Sequence, residues 1–203
     1  MHRRLAATAL ALGAVLTLAA CGGDDTTSSP SSSTSSTAPS SSATPASGEN
    51  NQADVMFAQG MIPHHAQAIE MSDLLLAKDG VDPAVADLAS DIKAAQAPEM
   101  EQMTGWLVGW GEDVPTGSMG DDMGGMDMSG MMSEEDMTAL EDASGADASR
   151  LFLEQMIVHH RSAVMMAEME RKVGLNEDAK ALAEQIIESQ TSEIATMTEL
   201  LGG

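Results

Sequence analysis

Met61-Ile-Pro-His-His-Ala-Gln-Ala-Ile-Glu-Met71 and Phe152-Leu-Glu-Gln-Met-Ile-Val-His-His-Arg-Ser-Ala-Val-Met-Met166 read as two copies of one helix. At about 100° per residue, Met61, His64, His65, Ala68 and Met71 share one face. Met156, His159, His160, Ala163 and Met166 repeat that face. Phe57 pairs with Phe152 in the same register, 95 positions apart. After a one-residue shift Gly80 pairs with Gly174, Leu88 with Leu182, Gln96 with Gln190, Glu99 with Glu193 and Met103 with Met197. A register held over so many positions marks an internal duplication.

Each copy extends into a helical hairpin. Residues 51–78 are apolar at helical spacing and stop near Asp79-Gly80. Asp82 caps a second helix with Pro83 at its first position, running to about Trp110. Residues 149–172 and 177–201 repeat the pair, with a break at Gly174 and a cap at Asn176. Short links make each pair antiparallel, so the expected fold is all-α, an up-down four-helix bundle of two duplicated hairpins. Residues 111–147 join the hairpins through a Met-rich stretch, and Ser133 caps a short helix reaching about Ala143.

The first 48 residues read as a lead-in to this domain. Arg3 and Arg4 precede the apolar stretch Leu5–Leu18, which ends in Leu18-Ala19-Ala20-Cys21. That order resembles a bacterial lipobox, so residues 1–20 are expected to be a signal peptide and Cys21 the lipidated residue. Residues 26–47 contain only Ser, Thr, Pro and Ala and cannot bury enough apolar surface to fold. Residues 21–48 therefore form a tether reaching roughly 30 Å from the membrane, and residues 49–203 form one domain. The expected location is the extracytoplasmic face of the bacterial cell membrane, held by a lipid anchor. With Cys21 as its single cysteine, the chain forms no internal disulfide.

Charge narrows the partners. Removing residues 1–20 leaves seven basic and 32 acidic residues, a net charge of −25. Such a chain is repelled by nucleic acid and attracts cations, although acidity alone also serves solubility. Eighteen methionines and no tyrosine mean that Met shares the core with Leu, Ile, Val and Ala.

Every histidine of the domain lies in the two His-His pairs. A buried imidazole without a partner costs about 1–3 kcal/mol per unsatisfied group, so four of them call for a ligand or a closed network. The facing stripe of each second helix offers Gln96, Glu99, Met103 and Trp106, or Gln190, Glu193, Met197 and Leu200. The metal candidates are Met61, His64, His65, Met71, Met103, Met156, His159, His160, Met166 and Met197, with Glu99 and Glu193 orienting the imidazoles. In the competing network, His64 and His159 hydrogen-bond Glu193 and Glu99 and no metal is needed. Thioether sulfur selects Cu(I) or Ag(I) over iron or zinc. Glu-x-x-His, the pattern of carboxylate-iron bundles, is missing, because Met61 and Met156 stand three residues before His64 and His159. Met119, Met123, Met126, Met128, Met131 and Met132 form a second candidate site in the loop, or a sink for oxidants. Pro63 and Pro98 lack counterparts in the second copy, so the two halves are expected to differ in geometry.

The duplicated Met-x-x-His-His over residues 51–201 resembles the family called domain of unknown function 305. That resemblance implies a ferritin-like bundle and, for some members, an exported copper-binding protein linked to copper tolerance. It places the ligands at Met61, His64, His65, Met156, His159 and His160. The function expected is therefore non-enzymatic: an extracytoplasmic lipoprotein holding Cu(I) or Ag(I) for buffering, tolerance or handover to a copper-handling partner protein. The alternatives are a ferritin-like metal-dependent oxidase, or a non-catalytic interaction or sensor domain with structural His pairs.

Overall fold

The computed structural model describes residues 48–116 and 130–202. The signal segment, Cys21, the tether to residue 47 and Met119, Met123, Met126 and Met128 lie outside the described residues.

Five helices and no strand form the described part: α1 (Gln52–Leu76), α2 (Pro83–Trp110), α3 (Glu134–Asp142), α4 (Gly145–Val173) and α5 (Glu177–Gly202). Their ends follow from capping chemistry. Asn51 opens α1 as one half of a capping box, accepting from the N–H of Ala53 at 2.7 Å while Asp54 accepts from its own N–H at 2.6 Å. Asp82 caps α2 ahead of Pro83, and α2 stops at Gly111, whose φ of 78° the left-handed C-cap needs. Ser133 and Asp136 close the capping box of α3, and Asn176 caps α5 through the N–H groups of Asp178 and Ala179. Helix α4 starts one turn earlier than the sequence pattern suggests, at Gly145 rather than near Ser149. Gly145 has φ of 55°, which lets the chain turn into the helix there.

Helices α1 and α2 pack as one hairpin and α4 and α5 as the other, and the hairpins meet mainly through α1 and α4. One apolar cluster joins Met71 and Leu75, late in α1, to Ala148 and Phe152, early in α4. A second joins Val55 and Phe57, early in α1, to Ala163 and Ala167, late in α4. Helices α1 and α4 therefore run antiparallel, and the second hairpin is turned end for end relative to the first. The connection from α2 to α4 must then travel the length of the bundle, a ferritin-like crossover, and α3 is part of it. The prolines do not end their helices: α1 runs on through Pro63 and α2 through Pro98.

Duplicated clasps hold the two hairpins at their ends. Ser149 on α4 accepts from the N–H of Asp82, the cap of α2, at 2.9 Å. Its counterpart Asp54 on α1 accepts from the N–H of Asn176, the cap of α5, at 2.8 Å and from that of Leu175 at 3.0 Å. Asp54 carries its charge readily. Burial alone would raise its pKa, but the N–H groups around it and the neighbouring Glu170 outweigh burial and hold the carboxyl below its usual value.

Candidate metal centre

Between the two apolar clusters lies a polar layer built by the duplicated motif. His64, His65, His159 and His160 are all buried, as are Gln96 and Gln190. Methionines bound the layer symmetrically. Met61 and Met103 sit in one cluster with Met166 against it, and Met156, Met197 and Met71 sit in the other. The helical face read from sequence is thus the face the bundle buries, with one exception: Met166 is only partly buried, whereas its counterpart Met71 is fully enclosed.

His65 Nε2 lies 2.6 Å from Glu99 Oε2, and His160 Nε2 lies 2.6 Å from Glu193 Oε2. Each pair stays within its own hairpin. The alternative network expected from sequence, with His64 and His159 reaching Glu193 and Glu99 across the bundle, does not form. The second histidine of each motif points back at its hairpin partner, and the first points at the other hairpin. A neutral imidazole that gives its Nε2 proton to a carboxylate keeps a lone pair on Nδ1. Nδ1 is buried without a partner in both His65 and His160.

His64 and His159 meet each other. Their ring centroids are 3.7 Å apart with planes at 37°. Equivalent residues of a repeat can touch only at the axis relating the copies, so these rings mark the pseudo-twofold of the bundle. Their environments differ. Ser162 donates its hydroxyl to the carbonyl of His159 at 3.0 Å and lies 2.6 Å from His64 Nε2. With its proton on that carbonyl, Ser162 Oγ is placed to accept from the Nε2-protonated tautomer of His64, whose lone pair is then on Nδ1. The residue equivalent to Ser162 is Gln67, which bonds the backbone N–H and carbonyl of Met132 at 2.8 Å each. His159 is consequently fully buried with neither ring nitrogen partnered.

Burial, followed by the nearby His65 and His160, pushes the His64 pKa down to about 3. Burial likewise holds His159 well below its ordinary value, followed by the neighbouring His64. Both rings are neutral at physiological pH, the state in which imidazole binds a metal. Among the described residues no three His, Cys, Asp or Glu side chains converge to hold a metal ion by themselves. The methionines of the two apolar clusters border this layer with thioether sulfur.

Of the loop candidates within the described residues, Met131 is partly buried and Met132 is taken into the apolar core beside Leu140 and Phe152. Gly130, with φ of 94°, passes so close to Ser162 that a Cβ there would collide with the serine side chain. Sequence reasoning missed Ser162, Gln67 and Glu170. The available signal was positional, since all three fall where the two copies differ.

Two antiparallel helical hairpins around a buried layer of His-His pairs, each backed by a glutamate, define a class of all-α bundle. A family model described as Domain of unknown function (DUF305) matches residues 54–201, and the chain belongs to this family. A DUF305 protein from Streptomyces coelicolor, described as secreted, is 37% identical over 74% of this chain and 91% of its own, with a TM-score of 0.65. A DUF305 fragment from Deinococcus radiodurans is 33% identical over 76% of this chain and 99% of its own, with a TM-score of 0.66. CopM in its Cu(II)-bound form is 33% identical over 73% of this chain and 95% of its own, with a TM-score of 0.62. CopM has also been solved in Cu(I)-bound and Ag-bound forms. A comparison with curated proteins finds no match.

Proposed function

We propose that this protein binds a soft metal ion, Cu(I) or Ag(I), in the His/Met layer, for buffering, tolerance or handover to a copper-handling partner. The observation that carries the reading is His159, a fully buried imidazole with two unpartnered nitrogens, beside three more rings with a bare Nδ1. Leaving these groups unsatisfied costs about 1–3 kcal/mol each, a cost that a bound ion would remove. His64, His65, His159 and His160 would supply nitrogen, and Met61, Met103, Met156 and Met197 are the sulfur donors bounding the layer. Met71 and Met166 flank them. Glu99 and Glu193 fix the tautomer and ring angle of His65 and His160. Soft thioethers with neutral imidazoles favour Cu(I) and Ag(I) over zinc or iron. The copper- and silver-bound forms of CopM, 30–33% identical to this chain, support the same choice.

The protein is proposed to work outside the cytoplasm. The leader ending in Cys21 supports a lipid anchor, and the relative described as secreted supports export. Among the described residues no helix is long and apolar enough to cross a membrane.

Titrating the full chain with Cu(I) against a competing chelator tests the reading, with Zn(II) and Fe(II) alongside. Changing His64, His65, His159 and His160 to Ala should abolish the tight Cu(I) phase. Equal affinity in that variant would refute the layer as the site and move attention to the methionines of the loop.

A further inference from the structure

The pseudo-twofold that relates α1 to α4 creates two equivalent grooves on their outer face, one toward each end of the bundle. The structure treats them oppositely. One groove is filled by the crossover: Gln67 ties down Met132, Gln155 donates to the carbonyl of Asp136 at 2.9 Å, and Leu140 of α3 is buried there. Its rim residues Leu74 and Leu151 pack against that cover. No described residue covers the other groove, which has a volume of about 640 Å³. Its residues at the positions of Leu151, Glu70 and Leu74 are Met56, Met165 and Met169, and Met166 completes the lining.

Three of these methionines are more than half exposed: Met56 at 53%, Met165 and Met169 at 58%. Core packing does not account for thioethers in those positions. Met165 and Met169 are i,i+4 neighbours on α4, and Met166 and Met169 are i,i+3 neighbours, so the three lie together on one stretch of helix. Met56 faces them from α1. Gly60 lies on the floor, where an added Cβ would be in ordinary contact, 3.7 Å, with the Met166 sulfur. Ser162 also lines the groove, and it is the residue hydrogen-bonded to His64. One wall of the open groove is therefore one side chain away from the buried imidazoles.

We infer that the open α1/α4 groove is a second binding site for a soft monovalent cation, held by the thioethers of Met56, Met165, Met166 and Met169. Neutral sulfur donors take Cu(I) or Ag(I) and leave hard ions to water. The site stands at the solvent boundary and meets the histidine layer at Ser162, which makes it an entry station for the inner ligands. It rests on the soft-metal reading of the protein and shares only Met166 with the inner layer; Met56, Met165 and Met169 are its own, so the two can fail separately.

Ag(I) alone is the probe, titrated into the full chain labelled with ¹³C at the methionine methyls and followed by NMR. The methyl signals of Met56, Met165, Met166 and Met169 should move together as one ion is taken up. The variant M56L/M165L/M169L keeps the apolar volume and removes the sulfur. It should bind one fewer Ag(I), while the imidazole signals still respond. In a variant with His64 and His159 changed to Ala, the groove methyls should still move, even if the layer itself turns out to bind nothing. Unchanged Ag(I) stoichiometry in the leucine variant overturns the proposal, as does a response confined to methionines of residues 117–129. Met165→Leu alone serves if the triple variant misfolds, and should weaken the groove response while leaving the imidazole response intact.

Discussion

The two halves of this bundle agree at the second histidine of each motif and disagree at the axis and at the ends. His65 with Glu99 and His160 with Glu193 have the same geometry, 2.6 Å in each hairpin. At the axis the symmetry breaks. A single hydroxyl, Ser162, satisfies His64, while Gln67 is drawn away to the crossover and His159 is left bare. At the ends it breaks again. The neutral clasp has Ser149 with Leu75 at the neighbouring position, and the charged clasp has Asp54 with Glu170. Duplication preserved the imidazole–carboxylate pairs with the methionines and glutamines around them, and changed residues at the axis and the ends. That pattern is expected if the preserved positions serve ligands and the changed ones only hold helices together.

The largest expected difference between the halves lies in the clasps. Asp54 accepts from Asn51, Leu175 and Asn176, three N–H groups that join the start of α1 to the α4–α5 turn. Asp54→Ala should cost about 3–5 kcal/mol, since bonds to a charged acceptor contribute about 1.5–3 kcal/mol each and are not additive. Ser149→Ala removes one neutral acceptor and should cost about 1 kcal/mol. Urea denaturation of both variants at neutral pH measures the gap. Equal costs would show that the clasps are energetically alike.

Next comes pH. Burial, then the adjacent Asp54 carboxyl, raises the Glu170 pKa from its ordinary 4.5 to about 8. The folded state thus holds a proton that the unfolded chain releases above about pH 4.5. Stability from this group is full below pH 4.5, falls as pH rises toward 8 and is flat beyond, a total change on the order of a few kcal/mol. Asp54 acts in the opposite sense, its contribution being lost as pH falls through its lowered pKa. Glu170→Gln mimics the protonated acid and should flatten the decline between pH 5 and 8. The first half, with Leu75 at the equivalent position, has no such slope to remove. A variant that keeps the wild-type pH profile would show that Glu170 is ionised in the folded chain. Packing adds a constraint here, because a Cβ at Gly174 would collide with the Glu170 carboxylate.

The axis supplies a smaller difference. In the metal-free chain His159→Leu should raise stability by about 1–3 kcal/mol, because it removes two unpartnered polar atoms from a site that is already apolar in shape. His64→Leu also removes the hydrogen bond to Ser162, so its gain should be smaller. Cu(I) should reverse the order for His159→Leu, since wild type gains binding energy that the variant forgoes. Thermal melts with and without Cu(I) decide the point.

Much of this was legible in sequence because it depends on local periodicity. The repeat located four helices, the caps at Asp82 and Asn176, and the shared His/Met face. Spacing along one helix cannot say which of two adjacent histidines turns toward its own hairpin. That choice follows from how α1 crosses α4, so the metal-free network of His64 with Glu193 and His159 with Glu99 gives way to His65 with Glu99 and His160 with Glu193. The direction of the second hairpin was hidden for the same reason: a long crossover permits either orientation. Asymmetry was expected from Pro63 and Pro98, yet both helices pass through them. It resides also in Gln67 against Ser162 and in Leu75 against Glu170, substitutions that look unremarkable until the axis brings them beside their partners.

The smallest expected difference between the halves is at the carboxylates. Glu99→Gln and Glu193→Gln each keep the shape of the side chain and remove the charge that accepts the Nε2 proton. Loss of such an outer partner typically weakens metal binding roughly 10–100-fold. Because both glutamates are about four-fifths shielded, 18% and 19% exposed, and both sit 2.6 Å from their imidazoles, the two losses should be equal. Cu(I) competition titrations on the two single variants and the double variant read this directly. Equal single effects that sum in the double variant place His65 and His160 at equivalent, independent ligand positions. If one variant is silent, the ion sits off the axis in the other hairpin; the bare His159 favours the side of His160 and Glu193, with Glu99→Gln as the silent variant.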